Sequence, residues 1–339
     1  ATVGKFSEFV DSEVQARQVV NAKHASDLAR ARGLRWLVHL DVDEALYASS
    51  RQAFLAHFAD LDRRGVGHRT YANHEGVAPL LHDEDDANRD YFRRVTLFRK
   101  NHLCVPFSSR AVEAMAYWKR RTRKGQYLLC YDNGKSAVRL VDGIAPTSVH
   151  GWTGGSLNRE TALVDPARSA LNTLTSVSEE EPCVLHFVVC GLFWLRTKYD
   201  ILGAFPDAWF GGSLPIAPSF HLDARDVVAT GDAKKVRAFY ESHVARPADA
   251  SLLQHHVDAG VCRHYSRISH FLAHFDSSEA ASSSAEQPNN DQTGDDDART
   301  RTTQEGWHVP LPQPPPREGK PPDDALRAWI LSSAAQSFL

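Results

Sequence analysis

The chain has 339 residues, 42% of them hydrophobic and 24% charged, enough to bury a sizeable core in one large or two ordinary domains. Lys and Arg number 39 against 42 Asp and Glu, a formal net charge of −3, so composition argues against nucleic acid as a partner. Five scattered cysteines, Cys104, Cys130, Cys183, Cys190 and Cys262, form no CxxC pair and exclude both a disulfide-built scaffold and a zinc ribbon.

In chain order, Phe6 to Ala31 reads as one long helix with Phe6, Phe9, Val10, Val14, Val19 and Leu28 mainly at helical spacing, ended by Gly33. Trp36 to Leu40 is a short apolar run, as expected of a strand buried on both faces of a mostly parallel sheet. Ser49 and Ser50 are N-cap candidates for a helix through Phe54, Leu55, Phe58 and Leu61, closed by Gly65. Phe92 to Phe98 has strand texture. Gln126 to Tyr131 and Ser136 to Val141 flank Asp132-Asn133-Gly134, which predicts a hairpin. Val184 to Val189 predicts a buried strand, followed by helices at Leu192 to Tyr199 and Ala233 to Val244.

The greasiest run, Cys183 to Leu195, is interrupted by His186 and is shorter than the ~20 residues a helical membrane span needs. With Ala1 first and Met115 the only methionine, the chain reads as a fragment or a processed product. A membrane anchor is then expected only in a preceding segment. Residues 1–275 are expected to form the functional domain. Residues 276–324, rich in Ser, Asp, Asn, Gln and Pro, are expected to be disordered, because they cannot offset chain entropy by burial. Residues 325–339, with Leu326, Trp329, Ile330 and Phe338, predict a short terminal helix.

The most informative segment is Trp36-Leu37-Val38-His39-Leu40-Asp41-Val42-Asp43-Glu44. A hydrophobic strand delivers three carboxylates at its carboxyl end, the edge where open α/β sheets hold ligands. Carboxylate oxygens suit Mg²⁺ or Mn²⁺, which in turn accept phosphate oxygens, so Asp41, Asp43 and Glu44 are candidate metal ligands. Lys135 and Arg139 are four apart on a predicted strand, hence on one face, and are candidate diphosphate contacts. Leu129 stands where a P-loop would need its first Gly, and no GxSxG elbow accompanies Ser219, His221 and Asp223.

The string WLVHLDVDEALY, Trp36 to Tyr47, resembles the DxD-bearing strand of GT-A glycosyltransferases of the family 92-like and family 2-like group. Asn21, Ala22 and Ala25 on the preceding helix, GKSAVRL at Gly134 to Leu140 and PTSVHGW at Pro146 to Trp152 match the group in order. So does VLHFVVCGLFWLRTKYDILG at Val184 to Gly203. One departure stands out: a helix alone precedes the acidic strand, where a complete GT-A domain has nucleotide-binding βαβ units.

The resemblance implies an α/β, GT-A-like mixed sheet flanked by helices, and metal-dependent transfer of a sugar from a nucleotide-sugar donor. The acceptor hydroxyl would belong to a glycan, protein or lipid, and the anomeric centre would invert. Asp43 would hold the ion, Asp41 the ribose or the ion, with Glu44 in support and His150 as a late ligand, His186 being second choice. An inverting transferase also needs a carboxylate base, for which Glu75 is one candidate and the Asp83-to-Asp86 run, represented by Asp83, another. If the source is eukaryotic, the resemblance implies the Golgi or another secretory lumen. Two other readings fit the same acids: a non-catalytic glycan- or partner-binding relic, and a metal-dependent phosphoester hydrolase.

Overall fold

A computed structural model describes residues 4–80, 90–155, 158–161, 182–216 and 219–272. The expected disorder at 276–324, the terminal helix at 325–339 and Asp83 lie outside the described residues.

Nine strands form two mixed sheets flanked by helices. They are β1 (Trp36–Val38), β2 (Glu44–Tyr47), β3 (Val66–Tyr71), β4 (Asn73–Gly76), β5 (Leu97–Arg99), β6 (Lys135–Arg139), β7 (Asn158–Thr161), β8 (Cys183–His186) and β9 (Cys262–His264). The first sheet runs β1-β6-β3-β7 and the second β9-β5-β4-β8-β2. Only β3–β7 and β4–β8 pair in parallel; the other pairs are antiparallel. The mostly parallel sheet expected from Trp36 to Leu40 is therefore not what forms. β1 is a half-buried edge strand, and its apolar side chains cover Tyr71, Ala137 and Val184 from one side.

The sheets are joined where the chain crosses from one to the other. Two of these crossings are short and direct, His39 to Asp43 between β1 and β2, and Ala72 between β3 and β4. The register Val38↔Ala137 and Tyr71↔Lys135 puts the ends of β1 and β3 and the start of β6 at the same end of the first sheet.

The predicted N-terminal helix is broken. A single turn, Gly4–Ser7, is followed by α1 (Val14–Ala31). Glu13 takes extended backbone because its carboxylate accepts the N–H groups of Phe210 at 2.6 Å and Gly211 at 3.3 Å. At the other end Gly33, with φ 72, allows a C-terminal cap in which Leu34 N–H returns to Ala29 O at 3.0 Å. Helix α2 (Arg51–Arg63) starts as expected, with Ser50 Oγ accepting from Ala53 N at 2.9 Å, a cap worth about 1 kcal/mol.

Phe92 lies in a helical turn, Tyr91–Arg94, before β5 begins at Leu97. The Asn133-Gly134 hairpin is absent, and β6 pairs with β1 and β3 instead. Gly134 serves a close approach of two strands rather than a hairpin turn. A Cβ there would lie 2.1 Å from Tyr71 O, so only glycine, at φ 71, lets β6 start against β3.

The further helices are α3 (Ser109–Lys119), α4 (Leu192–Leu202), α5 (Phe220–Ala229), α6 (Ala233–Phe239, continued by a wide turn to Val244) and α7 (Ala250–Asp258). The largest core lies among α4, α5 and α6, around Leu195, Tyr199, Ala224 and Tyr240.

Candidate active site at the acid turn

Asp41 to Glu44 forms a tight turn. Glu44 N–H donates to Asp41 O at 3.1 Å, and Asp41 N–H donates to Glu44 Oε2 at 2.8 Å. Phe187 N–H holds Asp43 O at 2.8 Å, tying the turn to the end of β8. Asp41, Asp43 and Glu44 are all buried.

Buried carboxylates need partners, and two buried lysines supply them. Lys135 Nζ donates to Asp41 Oδ2 at 2.8 Å and lies 3.6 Å from Glu44 Oε2. Lys198 Nζ, on α4, donates to Asp43 Oδ2 at 3.2 Å, and His186 Nε2 stands 3.6 Å from the same oxygen. Gln18 Nε2, from α1, donates to Asp41 Oδ1 at 3.0 Å. Tyr131 donates its hydroxyl to Glu44 Oε1 and packs its ring 4.6 Å from His150 and 5.0 Å from His186.

These contacts set the charges. Burial pushes the Asp43 carboxyl up, but Lys198 and then His186 outweigh it and hold it below the usual carboxylate range. Burial raises Glu44, with Lys135 opposing. Burial works against charge on Lys135 and Lys198, yet the neighbouring acids, Asp41 first for one and Asp43 for the other, keep both above the ordinary lysine value. His186 is raised, because Asp43 overcomes its burial. His39 is pushed down to about 4 by burial and then by Lys135, and His221 to about 3 by burial and then by Lys198. A charged pair of lysines thus sits close to histidines, His39 and His221, that burial keeps neutral.

Of the sequence candidates, the fold gathers Asp41, Asp43, Glu44, Lys135 and His186. His150 is adjacent, but its Nδ1 bonds Gly134 O at 2.7 Å, and burial and then Lys135 hold it well below the usual histidine value. Arg139 does not join them. It lies four residues along β6, about 13 Å away, with its Nε 3.5 Å from Asp62.

Glu75 is also elsewhere. Fully buried on β4, it accepts from Arg99 Nη2 at 2.7 Å, Leu129 N at 2.8 Å and Cys130 N at 2.7 Å. Two residues away on the same strand, Asn73 donates to Tyr131 O at 2.7 Å and accepts from Gly134 N at 3.2 Å. Glu75 and Asn73 therefore grip the main chain of 129–134 and aim Tyr131 and Lys135 at the acids.

Sequence reading misses Gln18, Tyr131 and Lys198. A signal exists for two of them: Gln18 and Lys198 fall on the buried sides of their helices, beside Val19 and between Leu195 and Tyr199.

The implied divalent ion can be tested against this donor set. Among the described residues no three His, Cys, Asp or Glu side chains are grouped to hold a metal ion. Asp41 is engaged by Gln18 and Lys135, Glu44 by Tyr131 and its own turn, and His150 by Gly134. That arrangement does not fit Asp41, Asp43, Glu44 and His150 as ligands of one ion.

Two proteins of Arabidopsis thaliana described as glycosyltransferase-like are similar to this chain. One is 30% identical over 196 residues, covering 57% of the chain and 38% of the relative. The other is 25% identical over 242 residues, covering 68% and 41%. These similarities support a glycosyltransferase relationship. The chain spans about two-fifths of the length of the curated relatives it matches. No family model and no solved structure matches it.

Proposed function

We propose that the chain carries the donor-handling part of a glycosyltransferase. It would move a sugar from a nucleotide-sugar to a hydroxyl of a glycan, protein or lipid, with inversion, on a GT-A-like framework related to family 92. The observation that carries the reading is the buried acid turn with its two lysines. The order of the motifs and the glycosyltransferase-like relatives support it.

Transfer breaks the bond between the anomeric carbon and the diphosphate, forms one to the acceptor oxygen, and leaves charge on the departing diphosphate. Fixed ammonium groups in a site shielded from water stabilise such charge far better than solvated ones. Lys135 and Lys198 stay protonated and would turn from the acids towards the diphosphate. Asp41 and Asp43 would then accept hydrogen bonds from ribose and sugar hydroxyls. Glu75, with three N–H donors on its oxygens, acts as a positioning residue, which leaves Asp83 as the proposed base.

A second reading, a non-catalytic binding relic, draws support from the closure of the turn, with Asp43 only 2% exposed. Calorimetry with uridine and guanosine diphosphates on the intact protein separates the two. The transferase reading expects binding that weakens about tenfold or more in Lys135→Ala, the loss of one charge-assisted hydrogen bond. Absence of binding to either nucleotide favours the relic. A Mn²⁺ titration is the control: heat of binding that disappears in Asp43→Asn would restore the ion to the site.

A further inference from the structure

The net charge of −3 hides a polarised surface. Residues 107–124 carry six basic side chains, Arg110, Lys119, Arg120, Arg121, Arg123 and Lys124, against one acid, Glu113. This segment is α3 with its flanks. Ala111, Ala114 and Trp118 bury one side of the helix, so Val112, Lys119 and Arg120 stand on the other and are exposed, Val112 by 50%. Just before the helix Phe107 is 94% exposed.

Two of the basic residues anchor the segment. Arg121 donates to Tyr117 Oη and Glu241 O, each at 2.6 Å, and Arg123 pairs with Asp223 at 2.8 Å. Among the described residues no side-chain hydrogen bond or ion pair engages Lys119, Arg120 or Lys124. The helix dipole accounts for cations in the last turn, but not for Lys124 beyond it, nor for a bare phenylalanine at the opposite end.

We propose that the outward side of α3, from Phe107 to Lys124, rests on an anionic membrane surface. The basic end meets lipid phosphates and carboxylates, and Phe107 and Val112 enter the headgroup boundary. Exposed hydrocarbon and a basic cluster carried by one helical segment are the chemistry of surface association. It also favours lipid over nucleic acid, whose backbone offers Val112 nothing to bury it. No helix of the described residues is long and apolar enough to cross a membrane, and this contact requires none. The proposal is independent of the sugar-transfer reading.

Flotation with vesicles tests it on the intact protein. Phosphatidylcholine vesicles containing about 30 mol% phosphatidylserine should carry the protein, and pure phosphatidylcholine should not. Combining Lys119→Ala, Arg120→Ala and Lys124→Ala should lower partitioning about a hundredfold, at about fivefold per charge, with the melting temperature unchanged. Phe107→Ser should remove the part of the binding that survives high salt. Equal binding to both vesicles, no binding to either, or an unaffected triple variant overturns the proposal. So does duplex nucleic acid bound through these three basic residues in place of vesicles.

Discussion

Replacing Lys198 by Met keeps most of the side-chain volume and removes one charge. Asp43, with which Lys198 pairs at 3.2 Å, is then left in a site where its side chain is 3% exposed. Taking one partner from a buried ion pair costs about 3–5 kcal/mol, whereas a solvated pair contributes about 0–1. For a domain of this size each kcal/mol is worth about 2–4 °C, so Lys198→Met should lower the melting temperature by about 6–20 °C at pH 7. The dependence on pH carries the sharper signature. In the wild type the Asp43 pKa is depressed below its unfolded value, so its stabilisation is present above about pH 4 and is lost as pH falls through the folded value. Without Lys198 only His186 opposes burial, so the Asp43 pKa rises and the variant's deficit should shrink on acidification as the carboxyl takes up a proton. Adding Asp43→Asn to Lys198→Met should recover much of the loss. Thermal melts of the four proteins at pH 7 and pH 5 close the cycle. A cost below about 1 kcal/mol, or a deficit that ignores pH, would show that the pair is solvated and that the site is not built as described.

Gly134→Ala places a Cβ 2.1 Å from Tyr71 O at a residue with φ 71, so it should destabilise by about 2–5 kcal/mol in chemical denaturation, against a few tenths for an alanine at exposed Gly4. His39 and His221, held at about 4 and about 3, bind protons in the unfolded chain nearer 6.5. The unfolded state therefore binds more protons between those values, and stability should rise with pH from about 4 to 6.5, each group adding up to about 1.4 kcal/mol per pH unit. His186, raised by Asp43, acts in the opposite sense: its contribution is complete below about pH 6.5 and fades as pH climbs through its folded value. Replacing His221 by Phe should flatten the rise in melts across that range.

What the sequence discloses is the local chemistry. Ser50 and Gly65 bracket α2 legibly, because a cap is decided within three residues of itself. The string from Trp36 to Glu44 discloses the acid turn, because a strand followed at once by three acids has few structural uses. Long-range partners are not legible. The helix breaks before Val14 because Glu13 serves an N–H 197 residues away, which no local period records. Asn133-Gly134 carries a hairpin signal, yet its glycine answers to Tyr71 O on another strand. Lys135 and Arg139 do share a strand face, but sharing a face does not bring them within reach of one diphosphate. Glu75 reads as a free acid in a polar stretch only because its three donors, Arg99, Leu129 and Cys130, come from elsewhere in the chain. Lys198 could have been singled out, since a lysine between Leu195 and Tyr199 on the buried side of a helix has to find an acid.

The most direct measurement of the central claim is turnover. The protein, in its full natural length, is incubated with a panel of nucleotide-sugars and hydroxyl acceptors, and the release of nucleoside diphosphate is followed together with the glycosylated product. The wild type should transfer sugar, with a fall of at least about a hundredfold in Asp43→Asn and Lys135→Met, roughly 3 kcal/mol of lost transition-state stabilisation for either change. Transfer at the wild-type rate by a folded Asp43→Asn variant would contradict that claim and move the chemistry away from the acid turn.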